Sequence, residues 1–388
     1  MSSALTDLVP LPIVQAPMAG GVSVPRLAAA VSEAGGLGFL AAGYKTADGM
    51  YQEIKALRAL TSRPFGVNLF MPQPEHPGAS TGSTGVADAA PPAAAAVEVY
   101  AEQLAGEATW YDAELGDPDS GRDDGYEAKL AVLLDNPVPV VSFHFGCPTP
   151  EVVDALARKG TLTLVTATSA EEAQAVERSG AHAVIVQGVE AGGHQGTHRD
   201  DPERDRAGIG LLSLVAQVRE AVALPMVAAG GIMRGSQIAA LLTAGVSAAQ
   251  LGTAFLATAE SGAHAVHKQA LTDPLFVRTE LTRAFSGRPA RGLVNRFLRE
   301  HGPYAPVAYP EVHHLTSPLR KAAAKAGDAQ GMALWAGQGH RMARDMPAGE
   351  LVEVLAAEIA AAQAEQAAAR VGGPAAGLGG GRTGNEGR

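Results

Sequence analysis

Short apolar runs recur along this chain, spaced so that one amphipathic helix fits between neighbours. Eight read as strands: Ile13 to Ala16, Leu37 to Ala41, Phe65 to Phe70, Val138 to Phe143, Leu162 to Thr166, Ala183 to Gln187, Pro225 to Ala228 and Ala248 to Leu251. Most are rich in Val, Ile, Leu or Phe and lack clean alternation, the pattern of strands covered on both faces. Between them the spacing predicts helices over Pro25 to Ala34, Gly49 to Leu60, Pro150 to Lys159, Ser169 to Ser179, Gly210 to Ala221 and Ser236 to Ala244. Gly35, Gly160, Gly180 and Gly245 stand where C-cap glycines belong, and Ser169 with Glu172 fits a capping box. Eight βα units in series predict an α/β fold, a TIM-like (β/α)8 barrel; an open doubly wound sheet is the alternative.

Two regions break the repeat. Pro72 to Pro92 is rich in Pro, Gly, Ser and Ala and reads as a long loop, Ala93 to Ala105 reads as a helix, and Leu115 to Gly125 as an acidic, solvent-exposed insert. An excursion this long above a barrel strand either covers the active rim or is a tolerated surface insertion. After the eighth strand the expectation is a small helical subdomain: a helix over Ala254 to Ala270, a compact polar turn over Phe285 to Gly292, a helix over Leu293 to Glu300, an extended run Pro303 to Pro310 and a short helix over Leu319 to Ala326. The expected division is a barrel over 1–253 with an insertion at about 72–126, the subdomain over 254–335, a segment over 336–370 returning to the barrel, and a disordered tail over 371–388.

Composition narrows the classes. The 388 residues suffice for one large α/β barrel with additions, and 46% are hydrophobic. The formal net charge of -10 argues against nonspecific nucleic-acid binding, which needs a basic surface. A single cysteine, Cys147, excludes an intrachain disulfide and a cysteine zinc cluster. No signal peptide and no membrane span are visible, so a cytoplasmic location is expected.

The chemistry sits where strands end. Gly230-Gly231 and Gln250-Leu251-Gly252-Thr253 follow the last two strands, the corner where barrel enzymes often hold a phosphate on backbone N–H groups and a helix start. The Ser236 hydroxyl is the other way to cap that helix. Asn68, Gln187 and Gln250 each place an amide near a strand end, fit to hydrogen-bond a heterocycle or simply to pair with nearby backbone. His144 ends the fourth strand and can take a proton or stabilise an anion; the alternative is a structural histidine. His194, after Gly192-Gly193, can bind phosphate or close its loop. His313 and His314 lack metal-ligand spacing and read as structural or surface residues, and Cys147 as a small buried one. No HExxH, DxD or three-histidine set marks a metal site. A phosphosugar isomerase or aldolase and a non-catalytic binding barrel remain open at this point.

Several ordered motifs then align with a known family: Gln15-Ala16-Pro17-Met18-Ala19-Gly20-Gly21, Gly66-Val67-Asn68-Leu69-Phe70, Ser142-Phe143-His144-Phe145-Gly146, Gln187-Gly188-Val189-Glu190-Ala191-Gly192-Gly193-His194, the two glycine junctions, Phe285-Ser286-Gly287-Arg288-Pro289-Ala290-Arg291-Gly292 and Leu334-Trp335-Ala336-Gly337-Gln338. Over about Pro12 to Gln338 the chain resembles the nitronate monooxygenases, formerly 2-nitropropane dioxygenases. The resemblance implies FMN bound non-covalently at the barrel top. Gly230, Gly231, Gly252 and Thr253 would hold its phosphate, with Gly192 and Gly193 in the flavin loop. Asn68, Gln187 and Gln250 would meet its polar groups, with Ala16, Pro17 and Met18 lining the ring. His144 matches the family's active-site histidine. The implied reaction is oxidation of an alkyl nitronate, with propionate 3-nitronate the expected substrate, by O2 to a carbonyl compound and nitrite. The alternative in the same superfamily is an NAD(P)H-dependent flavin reductase acting on quinones or enoyl thioesters.

Overall fold

The structure is a computed structural model, and it describes residues 4–73, 93–201 and 208–371. In chain order its strands are β1 (Ile13–Gln15), β2 (Gly38–Ala41), β3 (Phe65–Phe70), β4 (Val140–His144), β5 (Leu162–Ala167), β6 (Ala183–Gln187), β7 (Gly193–His194), β8 (Met226–Ala229), β9 (Ala248–Leu251), β10 (Thr279–Thr282) and β11 (Ala290–Leu293). Eight of them form one parallel sheet in the order β1-β9-β8-β6-β5-β4-β3-β2. The sheet closes between β1 and β2 through a parallel bridge, Val14 to Leu37. At that seam Gln15 N donates to Leu37 O at 2.9 Å, and the Gln15 side-chain oxygen accepts the Phe39 N–H at 2.9 Å. The fold is the TIM-like barrel, and the eight expected strands are its eight staves.

Strand parity separates two cores. Val14, Phe39, Val140, Leu164, Ile185, Val227 and Ala248 belong to one buried cluster, which fills the barrel. Their immediate neighbours Ile13, Leu40, Val141, Val165, Val184, Ala228 and Ala249 belong to the cluster that packs strands on the surrounding helices. Both faces of each strand are therefore dry, which is why the sequence shows unbroken apolar runs. Inside the barrel, sizes are matched: a Cβ on Gly66 would lie 2.2 Å from the ring of Phe39, which is fully buried. Phe39 occupies the volume that Gly66 leaves free.

The helix Ala348–Val371 returns to the barrel and packs on the helices Pro25–Glu33 and Gly235–Thr243. Its Glu358 carboxylate accepts the Gly235 N–H at 2.6 Å. The start of the helix after β8 is thus capped by the C-terminal helix, not by Ser236, and the Gln237 side chain takes the Met233 N–H at 2.8 Å. Among the described residues no helix is long and apolar enough to cross a membrane.

The region after β9 differs from the expected elements. Phe285 to Gly292 is not only a turn: Ala290–Leu293 pairs antiparallel with Thr279–Thr282 on one side and with Gly193–His194 on the other. The segment expected as one helix over Ala254 to Ala270 is two, Thr253–Leu256 and Ala265–Ala270. The last short helix is longer than expected, Glu311–Lys325, with Pro318 inside it. Of the long loop expected over Pro72 to Pro92, residues 74–92 lie outside the described residues, as do 372–388 of the expected tail.

Because the Phe39 ring has no exposed side to retreat to, Gly66→Ala overpacks the barrel. It is expected to cost about 1–3 kcal/mol, seen as a lower urea midpoint at an unchanged m-value. An unchanged midpoint would show that the ring can move aside.

Candidate active site

Carried up the strands, the inward register that holds the apolar barrel core ends in polar side chains. Asn68 lies two residues above Gly66 on β3, His144 two above Ser142 on β4, and Gln187 two above Ile185 on β6. Thr166 on β5 and Gln250 on β9 complete the layer. They open into a cavity of about 1040 Å³ at the C-terminal ends of the strands. All thirteen residues named from the sequence line this one cavity: Ala16, Pro17, Met18, Asn68, His144, Gln187, Gly192, Gly193, Gly230, Gly231, Gln250, Gly252 and Thr253.

One end is built from backbone and glycine. Gly230 and Gly231 both have positive φ, 126° and 68°, which an L side chain rarely adopts. Across from them, the segment around Gly337 folds back over the barrel top. The Gly337 N–H donates to Thr253 Oγ1 at 2.9 Å, and a Cβ on Gly192 would lie 2.5 Å from Gly337 N. The motif after β1 is fixed by two buried polar residues. Gln15 Nε2 donates to Ser23 Oγ at 2.9 Å, and that oxygen accepts the Met18 N–H at 2.8 Å. Gln15 was in the sequence motif but not among the candidate site residues; its role is to set Ala16, Pro17 and Met18 in place.

The three amides are not equivalent. Gln187 is committed to its own loop, its nitrogen to His194 O at 3.1 Å and its oxygen to the Gly196 N–H at 2.7 Å. Asn68 Nδ2 donates to the Ser142 hydroxyl at 3.0 Å. Gln250 Oε1 is buried with no hydrogen-bond partner among the described residues. A buried acceptor left unpaired costs about 1–3 kcal/mol, so a ligand donor is the natural partner.

The opposite end is aromatic and histidine-rich. His144 is enclosed, with Nδ1 3.2 Å from Thr166 Oγ1. Burial, and then the nearby Arg288 charge, push its pKa down from 6.5 to about 3, so it is neutral at pH 7. Phe145 beside it has a left-handed φ of 72° and lies under the Arg288 guanidinium, 4.1 Å from the ring centroid. Arg288 is 1% exposed and bonds to Gln73 and to the Thr197 carbonyl. His194 is held by Ser286 Oγ at 2.9 Å, and burial drives its pKa to about 3 as well.

Other cavity residues were not among the sequence candidates, or were read differently. Tyr44 and Tyr309 meet hydroxyl to hydroxyl at 3.2 Å. His313, expected to be structural or on the surface, stacks on Tyr44 at 3.9 Å and lines the cavity with His314 and Arg320. The acidic insert is also part of this wall. Ser120 to Gly125 line the cavity, Arg122 pairs with Glu311 at 2.5 Å, His314 Nε2 lies 2.9 Å from Gly121 O, and Asp124 accepts the Tyr44 N–H at 2.8 Å. It is latched to the helix Glu311–Lys325 and is not a free surface insertion. Cys147 is half-buried with its thiol pushed up to about 12, chiefly by burial, and is not activated as a nucleophile.

A model of the nitronate monooxygenase family matches residues 2–358. The chain belongs to that FMN-dependent family, whose members oxidise nitronates with O2. It is 44% identical to the nitronate monooxygenase of Pseudomonas aeruginosa over 358 residues, covering 90% of this chain and 96% of that protein. Among solved structures it is similar to the nitroalkane oxidase of Streptomyces ansochromogenes, with 77% identity, a TM-score of 0.89, and coverage of 94% of this chain and 100% of that one. It is also similar to FabK of Thermotoga maritima, with 27% identity, a TM-score of 0.69, and coverage of 95% and 99%. The cavity fits the family's cofactor. It offers a cradle of glycines in positive φ, a buried side-chain acceptor without a partner among the described residues, and a volume of about 1040 Å³.

The enclosed imidazoles make stability depend on pH. His144 and His194 titrate near 3 and His267 near 4 in the folded chain, against 6.5 when exposed. Burial is the first cause in all three, and for His267 it outweighs the opposing hydrogen bond to the Trp335 carbonyl at 3.0 Å. Unfolding below pH 6.5 therefore takes up protons. The stabilisation is fully present above pH 6.5 and is lost as the pH falls toward 4 for His267 and toward 3 for His144 and His194, at up to about 1.4 kcal/mol per pH unit for each proton. The melting temperature is expected to drop between pH 7 and pH 5, and His267→Gln, which keeps a donor for Trp335, is expected to flatten that slope.

Proposed function

We propose that this protein oxidises alkyl nitronates with O2 to a carbonyl compound and nitrite, with propionate 3-nitronate as its substrate and His144 as the residue that meets the reacting group. The observation that carries the reading is the position of His144: neutral, enclosed and on the same cavity as the glycine cradle. In this reading Gly230, Gly231, Gly252 and Thr253 hold the FMN phosphate. Ala16, Pro17 and Met18 line the ring, and Asn68 and Gln250 meet its polar edge. Gln187 holds the loop that carries Gly192 and Gly193. FMN, when bound there, would supply the redox chemistry of nitronate oxidation by O2.

The protein's own share is position and electrostatics. A neutral imidazole donates an N–H to a nitronate oxygen without the cost of burying a second charge. With a pKa near 3 it is a weak base, so abstracting a carbon-bound proton from a neutral nitroalkane is the harder task for it. The enclosed aromatic wall of Phe145, His194 and Tyr309 keeps water from the reacting carbon. The same reading places the enzyme in the cytoplasm, where its one thiol, Cys147, would stay reduced.

His144→Asn is expected to lower kcat/KM for neutral nitroethane roughly 100-fold or more, and for ethyl nitronate about tenfold or less. Equal, unimpaired rates on both would remove His144 from the mechanism. In anaerobic stopped-flow of the yellow holoenzyme, propionate 3-nitronate bleaches the flavin. Bleaching by NADH or NADPH with none by the nitronate would favour the reductase alternative instead.

A further inference from the structure

The cavity contains a positive charge that the described residues leave without a carboxylate partner. Four Lys and Arg side chains and two carboxylates of the described residues line it. Lys45 is paired with Glu53 at 2.6 Å and Arg122 with Glu311. Lys321 is exposed at the rim. Asp124 is spent on Lys129 at 2.6 Å and on the Tyr44 N–H, and Asp123 is exposed and accepts the Gly125 N–H at 3.1 Å. Arg320 is different. It is half-buried and lines the cavity. Its Nε donates to Thr316 Oγ1 at 3.1 Å and its Nη2 to the His313 carbonyl at 2.8 Å, both neutral acceptors. No carboxylate among the described residues pairs with it. Its closest counterweights are the phenols of Tyr44 and Tyr309, which are protonated at neutral pH. The guanidinium is pushed down to about 10 by burial and remains charged at pH 7. A charge enclosed without a counter-ion is costly unless an anion arrives to meet it.

The path from Arg320 to His144 is continuous. His313, whose carbonyl holds Arg320, stacks on Tyr44; the Tyr44 hydroxyl meets that of Tyr309; Tyr309 lies 5.4 Å from Phe145 between ring centroids; and Phe145 lies 4.5 Å from His144. The Arg320 charge lies near enough to His194 and His313 to help hold both imidazoles neutral, so the cation faces the histidine-lined end of the cavity. Arg288, the other enclosed arginine near His144, is held by Gln73, Thr197 and the face of Phe145.

We propose that Arg320 is a specificity-determining residue that receives a carboxylate on the substrate's far end, selecting carboxylate-bearing nitronates over uncharged alkyl nitronates. This rests on the nitronate-oxidising reading above. The planar guanidinium suits a carboxylate, which can accept two parallel N–H bonds from it.

The test compares the holoenzyme with Arg320→Gln and Arg320→Lys, with FMN absorbance and melting temperature confirming that each variant is folded and loaded. The readout is the ratio of kcat/KM for propionate 3-nitronate to that for ethyl nitronate. Arg320→Gln is expected to lower this ratio roughly 10–100-fold, mostly through KM, and Arg320→Lys to restore part of it. A ratio within about twofold of wild type, whether because neither substrate or both are affected, overturns the proposal. Calorimetry with succinate, an unreactive dicarboxylate, separates this from the functional reading. If the wild-type holoenzyme turns over neither nitronate, that reading fails by itself. Succinate binding lost in Arg320→Gln would still support the anion site, and equal binding by both forms would remove it.

Discussion

Everything in this molecule depends on the two-residue alternation of side chains along parallel strands closed into a barrel. Because the period is two, Val14, Phe39, Val140, Leu164, Ile185 and Val227 must all point inward once their outward neighbours pack on helices. The next inward positions toward the C-terminal ends are then committed to the same axis. The chain places Asn68, His144, Thr166, Gln187 and Gln250 there. A one-residue slip of any strand would bury its polar residue against a helix and turn its outward hydrophobe into the cavity. The register that stabilises the barrel is therefore the register that assembles the site.

Above the barrel, enclosure governs the electrostatics. Removing imidazoles from water keeps His144, His194, His267 and His313 neutral, each chiefly by burial. Arginine cannot be neutralised in this way, so Arg288 and Arg320 remain fixed cations in an aromatic surrounding. The result is a cavity whose permanent charge near the aromatic wall is positive although the chain as a whole carries a formal charge of -10. The sign of the charge here is a local property, produced by which charges are enclosed and which are paired away. The insert after β3 contributes to this by pairing: Arg122 occupies Glu311, and Asp124 is divided between Lys129 and the strained backbone of Tyr44, φ 66°.

Much of this was legible in the chain. The eight strands could be read because a stave buried on both faces leaves an apolar run bounded by turn residues, a signal contained within about six residues. The strand-end amides, His144 and the glycine junctions could be read because their place in the site follows from their place on a strand. The misreadings share a cause. Ala290–Leu293 looked like part of a turn because the edge it pairs with on one side, Gly193–His194, lies far earlier in the chain and is a very short strand. Ser236 looked able to cap the helix after β8. The group that caps it, Glu358, lies on the C-terminal helix.

The barrel, the strand ends that face its axis, and the glycines with freedom to turn are written locally along the chain. These follow from short-range periodicity and from the conformations that a residue type permits. What closes the other side of the cavity comes from long-range packing. Tyr44 is strained, Tyr309 and His313 come from the region after the barrel, and Arg320 is one of many arginines in the sequence. Nothing local distinguishes them. Their placement arises from long-range packing, a property of the assembled surroundings that no residue carries in its own neighbourhood along the chain.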